Sequence, residues 1–174
     1  MKSFSTFVTL LLFLLIIAGA TANLQELCKQ ATSSSPIVTY DFCIKSLQPI
    51  RGSNEVDAKG LVGITINLSL DNLVGIINML SDLQSKTTNQ TVIDALNACS
   101  DGINRGTTEL KVAQDFVSHG YVQAALTSVV VAEKSSDVCD SAFNQRGIQS
   151  PVHDAMHDPV LLCHLVDLII QLLV

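Results

Sequence analysis

The chain has 174 residues, of which 48% are hydrophobic and 5% aromatic, with no Trp and a formal charge of −6 at neutral pH. Its 10 Lys and Arg residues are scattered, so no basic patch exists to neutralise phosphates, which argues against a nucleic-acid partner. Abundant Leu, Ile, Val and Ala with few aromatic residues favour helices over a β-sandwich.

The first residues point to a compartment. Lys2 gives a short basic start, Phe7 to Ala18 is an apolar run interrupted only by Thr9, and Ala20-Thr21-Ala22 has the small-residue pattern of a signal-peptide cleavage site. The run is too short to cross a hydrocarbon core of about 30 Å, and no cationic stop-transfer flank follows it. The expectation is a signal peptide over residues 1–22 and a secreted domain over 23–174, with no membrane contact after cleavage. Removing Lys2 leaves 9 basic and 16 acidic residues, a formal charge of −7. The remaining chain is about the size of one domain with one core.

Leu24 to Leu47 reads as a small helical hairpin broken at Thr32-Ser33-Ser34-Ser35-Pro36, within a first unit over 23–50. From 57 to 174 four longer apolar stripes follow. Val62, Ile66, Leu70, Leu73, Ile77 and Leu80 recur at steps of three and four, the spacing of an amphipathic helix. The second stripe runs from Val92 through Leu96, Cys99, Ile103, Gly106, Leu110 and Ala113 to Val117. The third runs from Val122 through Ala125, Val129, Ala132, Ser136 and Cys139 to Phe143, as one continuous helix. The last has Asp158 as its expected N-cap, Pro159 at the first helical position, and Leu161, Leu165, Leu168 and Leu172 on its stripe. The expected fold is all-α: an antiparallel four-helix bundle preceded by an N-terminal helical hairpin. The apolar last segment also suits a removable lipid-anchor signal, but His164, Asp167 and Gln171 make one polar face, which fits a bundle helix better.

Five cysteines occur, and in a secreted chain four can form two disulfides. Antiparallel helices joined by a turn bring together residues equally far from it. Cys99 and Cys139 are each 20 residues from His119, beside the turn expected at His119-Gly120, and Cys28 and Cys43 are symmetric about the Ser35–Pro36 bond. These symmetries pair Cys28 with Cys43 and Cys99 with Cys139, leaving Cys163 as a buried free thiol. Pairing of Cys163 with Cys139 is the alternative. Closing such loops stabilises by about 3 and about 4 kcal/mol on a chain-entropy argument.

The four histidines form no recognisable catalytic or metal-binding motif. His153 and His157 are four apart, as helical zinc ligands can be, but Pro151 and Pro159 bracket them and suggest a loop of solvated side chains. Cys163 and His164 make no dyad, since adjacent helical residues point about 100° apart. Gly-rich phosphate loops are absent. The reading is no enzyme, no metal and no cofactor. Two glycosylation sequons stand out, Asn67-Leu68-Ser69 inside an expected helix and Asn89-Gln90-Thr91 in a polar connection.

Cys28-Lys29-Gln30-Ala31, Ser35-Pro36 and Tyr40-Asp41-Phe42-Cys43-Ile44-Lys45-Ser46-Leu47, then Cys99, Cys139-Asp140, Phe143 and Gly147-Ile148-Gln149-Ser150-Pro151-Val152, resemble the plant invertase and pectin methylesterase inhibitors, and within them the pollen-allergen-like invertase inhibitors. The resemblance spans nearly the whole chain after residue 22. It implies the same hairpin-plus-bundle fold with one disulfide in each hairpin, and a function without chemistry: a one-to-one complex that occludes the cleft of a carbohydrate-active enzyme, most directly an invertase. The implied location is the apoplast or cell wall, with the vacuole as the alternative. Some invertase inhibitors carry Pro-Lys-Phe near the bend between the second and third bundle helices; Gln114-Asp115-Phe116 stands there in this chain, so only Phe116 corresponds. The common Ser-Asn-Ala-Leu pattern of the last helix is replaced by Cys163-His164-Leu165-Val166-Asp167.

The bend itself concentrates Phe116, His119 and Tyr121 in a chain poor in aromatic groups, and such groups are favoured interface anchors. Asp115, Phe116, His119 and Tyr121 are therefore the expected target contacts, although Phe116 and Tyr121 also suit the end of the core. The competing functions are inhibition of pectin methylesterase, a helical storage or ligand-carrying role, and hydrolysis.

Overall fold

The computed structural model describes residues 23–174, Ser136 by its backbone only; the expected signal peptide lies outside the described residues. Helices α1 (Leu24–Thr32) and α2 (Tyr40–Leu47) form the N-terminal hairpin. Each has a side-chain cap: Asn23 accepts from the Glu26 N–H and Thr39 from the Phe42 N–H. Between them the Ser35 hydroxyl oxygen accepts from the Val38 N–H at 2.9 Å, shaping the bend beside Pro36. Leu24, Leu27, Cys28 and Ala31 form the buried stripe of α1, which packs on the last helix. Cys28 and Cys43 are disulfide-bonded across the hairpin.

Helices α3 (Ala58–Ser85) and α4 (Gln90–Ser118) are the long members of the bundle. The N-cap of α3 is Asp57, which accepts from the Gly60 N–H. The buried face of α3 includes Thr65 and Ser69, whose hydroxyls donate to the Leu61 and Thr65 carbonyls at 2.8 Å each. Those back-bonds satisfy both groups without a partner from another helix. By length and composition alone α3 could cross a membrane, but its apolar stripe packs against α4 and the last helix.

The third stripe departs from the single helix expected. The chain breaks at Lys134 into α5 (Val122–Glu133) and α6 (Ser135–Asn144). The break lets α6 approach α4 over two glycines. A Cβ on Gly106 would lie 2.5 Å from the Ser135 Oγ, and one on Gly102 2.9 Å from the Val138 Cβ. Ser135, now buried, donates to the Ala132 carbonyl at 2.6 Å. In this contact Cys99 and Cys139 are disulfide-bonded with Cα atoms 4.2 Å apart.

A 3₁₀ turn, Asp154–Met156, leads directly into α7 (His157–Gln171). The helix thus starts two residues earlier than expected. Its cap is Met156, without a side-chain bond, and Asp158 lies in the first turn. Pro159 remains compatible because N–H groups in that turn have no helical acceptor. α7 packs between α3 and α5, and its buried face carries Leu162, Leu165, Val166, Ile169 and Ile170. The result is one core: a four-helix bundle whose third member is broken, with the hairpin seated on α7.

The glycine contact gives a paired prediction. Gly106→Ala must push Ser135 aside and is expected to cost about 1–3 kcal/mol. Gly75→Ala, on the exposed side of α3 with nothing within 4 Å of a new Cβ, should instead stabilise by up to about 1 kcal/mol through helix propensity. Urea denaturation of both variants reads the difference.

Candidate functional site

Helix α4 ends in a Schellman motif. Gly120, at φ +80°, takes the left-handed position after His119. Its N–H donates to the Val117 carbonyl at 3.1 Å and the Tyr121 N–H to the Phe116 carbonyl at 2.8 Å, the two bonds that define the motif. The motif brings its first and last members together, and here both are aromatic: the Phe116 and Tyr121 rings meet edge to face with centroids 6.3 Å apart. The His119 ring lies near-parallel to that of Tyr121 with centroids 6.3 Å apart. Its Nδ1 lies 2.9 Å from the Asp115 carbonyl oxygen; a carbonyl only accepts, so in this contact Nδ1 carries the proton.

Burial separates the four expected contacts. Phe116 is half-buried and packs against the core. Asp115, His119 and Tyr121 are exposed, Tyr121 by 62% despite its size. Burial therefore divides the bend: Phe116 closes the end of the core, and Tyr121 stands on it facing solvent.

A fifth residue was not legible as part of this end. Lys59, from the first turn of α3, donates from Nζ to the Ser118 carbonyl at 2.9 Å. It ties the start of α3 to the end of α4 and neutralises one of the free carbonyls there. A shallow groove runs beside it between Asp57, Gly60, Gly63 and Gln114. The available signal was register: antiparallel helices joined by a short turn put the first turn of α3 opposite the last turn of α4.

The remaining titratable groups do not converge on a reaction centre. His153 pairs with Asp140 at 2.8 Å, and this hydrogen bond raises the imidazole pKa. His157 pairs with its neighbour Asp158 at 3.0 Å. Among the described residues no group of three or more His, Cys, Asp or Glu side chains is placed to hold a metal ion. Cys163 is the free cysteine; burial, with the nearby Glu133 carboxylate, pushes its thiol up to about 12. A thiol so far from ionising is a poor nucleophile, so Cys163 is expected to resist alkylation until the protein unfolds, as peptide mapping after labelling with and without denaturant will show.

One polar cluster lies partly buried where α7 meets α5. His164 of α7 reaches Glu133 at the end of α5, Nδ1 to Oε1 3.0 Å, and Gln171 donates to Asp167 at 2.6 Å. The polar face of α7 is thus turned partly toward α5. Desolvation raises the pKa of Glu133, with His164 opposing, and also that of Asp167. Carboxyls with raised folded values favour the folded state fully below about pH 4, the ordinary carboxylate range, and that contribution is lost as pH rises through the raised values. The denaturation midpoint of the native chain should therefore fall more between pH 4 and 7 than that of a Glu133→Gln, Asp167→Asn variant.

These features define a disulfide-stapled helical bundle with an aromatic, cation-flanked end. The model of the plant invertase/pectin methylesterase inhibitor family matches residues 22–171. The chain belongs to that family, whose members are inhibitor proteins rather than enzymes and act on a protein target. Proteins named "Putative invertase inhibitor" from Platanus acerifolia and Platanus orientalis are each 30% identical to it, the first over 87% of this chain and 86% of its own length, the second over 88% and 89%. The crystal structure of a mutant form of a pectin methylesterase inhibitor from Arabidopsis superimposes with a TM-score of 0.68 at 17% identity, covering 82% of this chain and 95% of that one.

Proposed function

We propose that the protein is a secreted invertase inhibitor that binds its target one to one through the end of the bundle at residues 115–121 and closes the substrate cleft without chemistry. The observation that carries this reading is Tyr121: a large aromatic side chain, 62% exposed, placed by the Schellman motif and in contact with the rings of Phe116 and His119. An anchor already held in one conformation loses little entropy on binding. Glycoside hydrolase clefts carry a pair of carboxyl groups, and the Lys59 ammonium beside the bend supplies a complementary charge in a chain that is otherwise acidic. The two relatives named as invertase inhibitors favour this target. Likeness to the pectin methylesterase inhibitor structure, at 17% identity, supports the fold and leaves that enzyme as the second target to be tested.

Titrating purified plant invertase and pectin methylesterase with the oxidised protein at mildly acidic pH decides between them. Stoichiometric loss of invertase activity is expected. Inhibition of pectin methylesterase alone would replace the target, and inhibition of neither would remove the inhibitory reading. Within the complex, Tyr121→Ala should weaken inhibition by about 1–3 kcal/mol, roughly 5- to 150-fold, with an unchanged melting temperature. Phe116→Ala should lower the melting temperature as well, because it opens the end of the core. Normal inhibition by a folded Tyr121→Ala protein would place the contact elsewhere on the bundle.

A further inference from the structure

We infer that Asn89 carries an N-linked glycan and that the second sequon, at Asn67, does not. The two sequons have the same chemistry in sequence and opposite presentation in the fold. Sequons that carry glycans lie on surface loops of secreted proteins, where the Asn carboxamide and the hydroxyl two residues later are presented together.

Asn89 has that presentation. It lies on the short connection between α3 and α4, and Asn89, Gln90 and Thr91 are all exposed. The Thr91 N–H donates to Asn89 Oδ1 at 3.0 Å, an Asx turn that folds the hydroxyl-bearing residue back toward the amide. The same bond makes Asn89 the N-cap of α4. The cap uses the oxygen, so a substituent on Nδ2 leaves it intact.

Asn67 fails on geometry. It lies within α3, where residues two apart point about 200° apart around the helix. Asn67 faces solvent while Ser69 is fully buried, its hydroxyl donating to the Thr65 carbonyl at 2.8 Å. The amide and the hydroxyl are therefore on opposite faces, and reading this sequon requires α3 to be unwound.

The donor is a polyprenyl-diphosphate-linked oligosaccharide. Asn89 Nδ2 bonds to the anomeric carbon, and the carbon–oxygen bond to the diphosphate breaks with its electron pair remaining on the diphosphate. The displaced amide proton passes to a base of the transferase. Disulfides at Cys28–Cys43 and Cys99–Cys139 fit the oxidising compartment in which this transfer takes place. At about 1.5 Å per residue the 29-residue α4 puts Asn89 roughly 40 Å from the bend at His119, so the glycan leaves the Tyr121 end uncovered.

The test is expression of the full chain in a eukaryotic secretory host, followed by intact mass and glycopeptide mapping with and without an amidase that removes N-glycans. One occupied site is expected. Its mass increment should persist in Asn67→Gln and vanish in both Asn89→Gln and Thr91→Ala, the latter keeping the Asn89 cap while destroying the sequon. Occupancy of Asn67, alone or together with Asn89, overturns the inference, as does a secreted or retained chain without any glycan.

Discussion

The contact between α4 and α6 is the constraint from which the rest of the structure follows. Gly102 and Gly106 remove side chains where the two helices meet, and the Cys99–Cys139 bond fixes the approach with Cα atoms 4.2 Å apart. The chain breaks at Lys134 beside this contact, and both pieces, α5 and α6, pack against α4. With α5 and α6 placed, α7 has one remaining groove, between α3 and α5, and the hairpin then closes over α7. Closing a loop of 40 residues is worth about 4 kcal/mol on the entropic argument, a large part of the stability of a domain this size.

The same arrangement explains why the bend is a rigid feature. α4 packs along its length against α3, α5 and α6, so its last turn inherits a fixed position. The Schellman bonds then set Tyr121 relative to Phe116, and the Lys59 tie joins the first turn of α3 to that end. A protein that acts by occlusion requires shape and one or two preorganised anchors rather than tuned acid–base pairs. The carboxylates and histidines are accordingly distributed as surface pairs or, at Glu133 and His164, as a half-buried bridge between helices. Burying such a bridge is more a matter of fixing how two helices meet than of adding stability.

Much of the site could be read from residue order. The turn at His119-Gly120 follows from the glycine between two stripes, and the cluster of aromatic groups around it from composition alone. Lys59 was not visible in that way, because its partner is a backbone carbonyl far along the chain, and backbone carbonyls leave no trace in side-chain patterns. The roles of Glu133 and of the α7 polar face were hidden for a similar reason. A polar stripe reads as solvent-facing, and whether it meets water or a neighbouring helix depends on helix rotation.

Sequence alone determined the helical class, the hairpin ahead of the bundle, and the turn symmetries that relate Cys28 to Cys43 and Cys99 to Cys139. Each of these rests on local periodicity, capping and turn residues, which act over a few positions at a time. Tertiary structure alone decided the break at Lys134, the early start of α7 at His157, the division of the bend into a half-buried Phe116 and an exposed Tyr121, and the burial of the Ser69 hydroxyl on the face opposite Asn67. Those outcomes depend on how closely two helices can approach and on which face each turns inward, and both are set by the packing of the whole core rather than by any one segment.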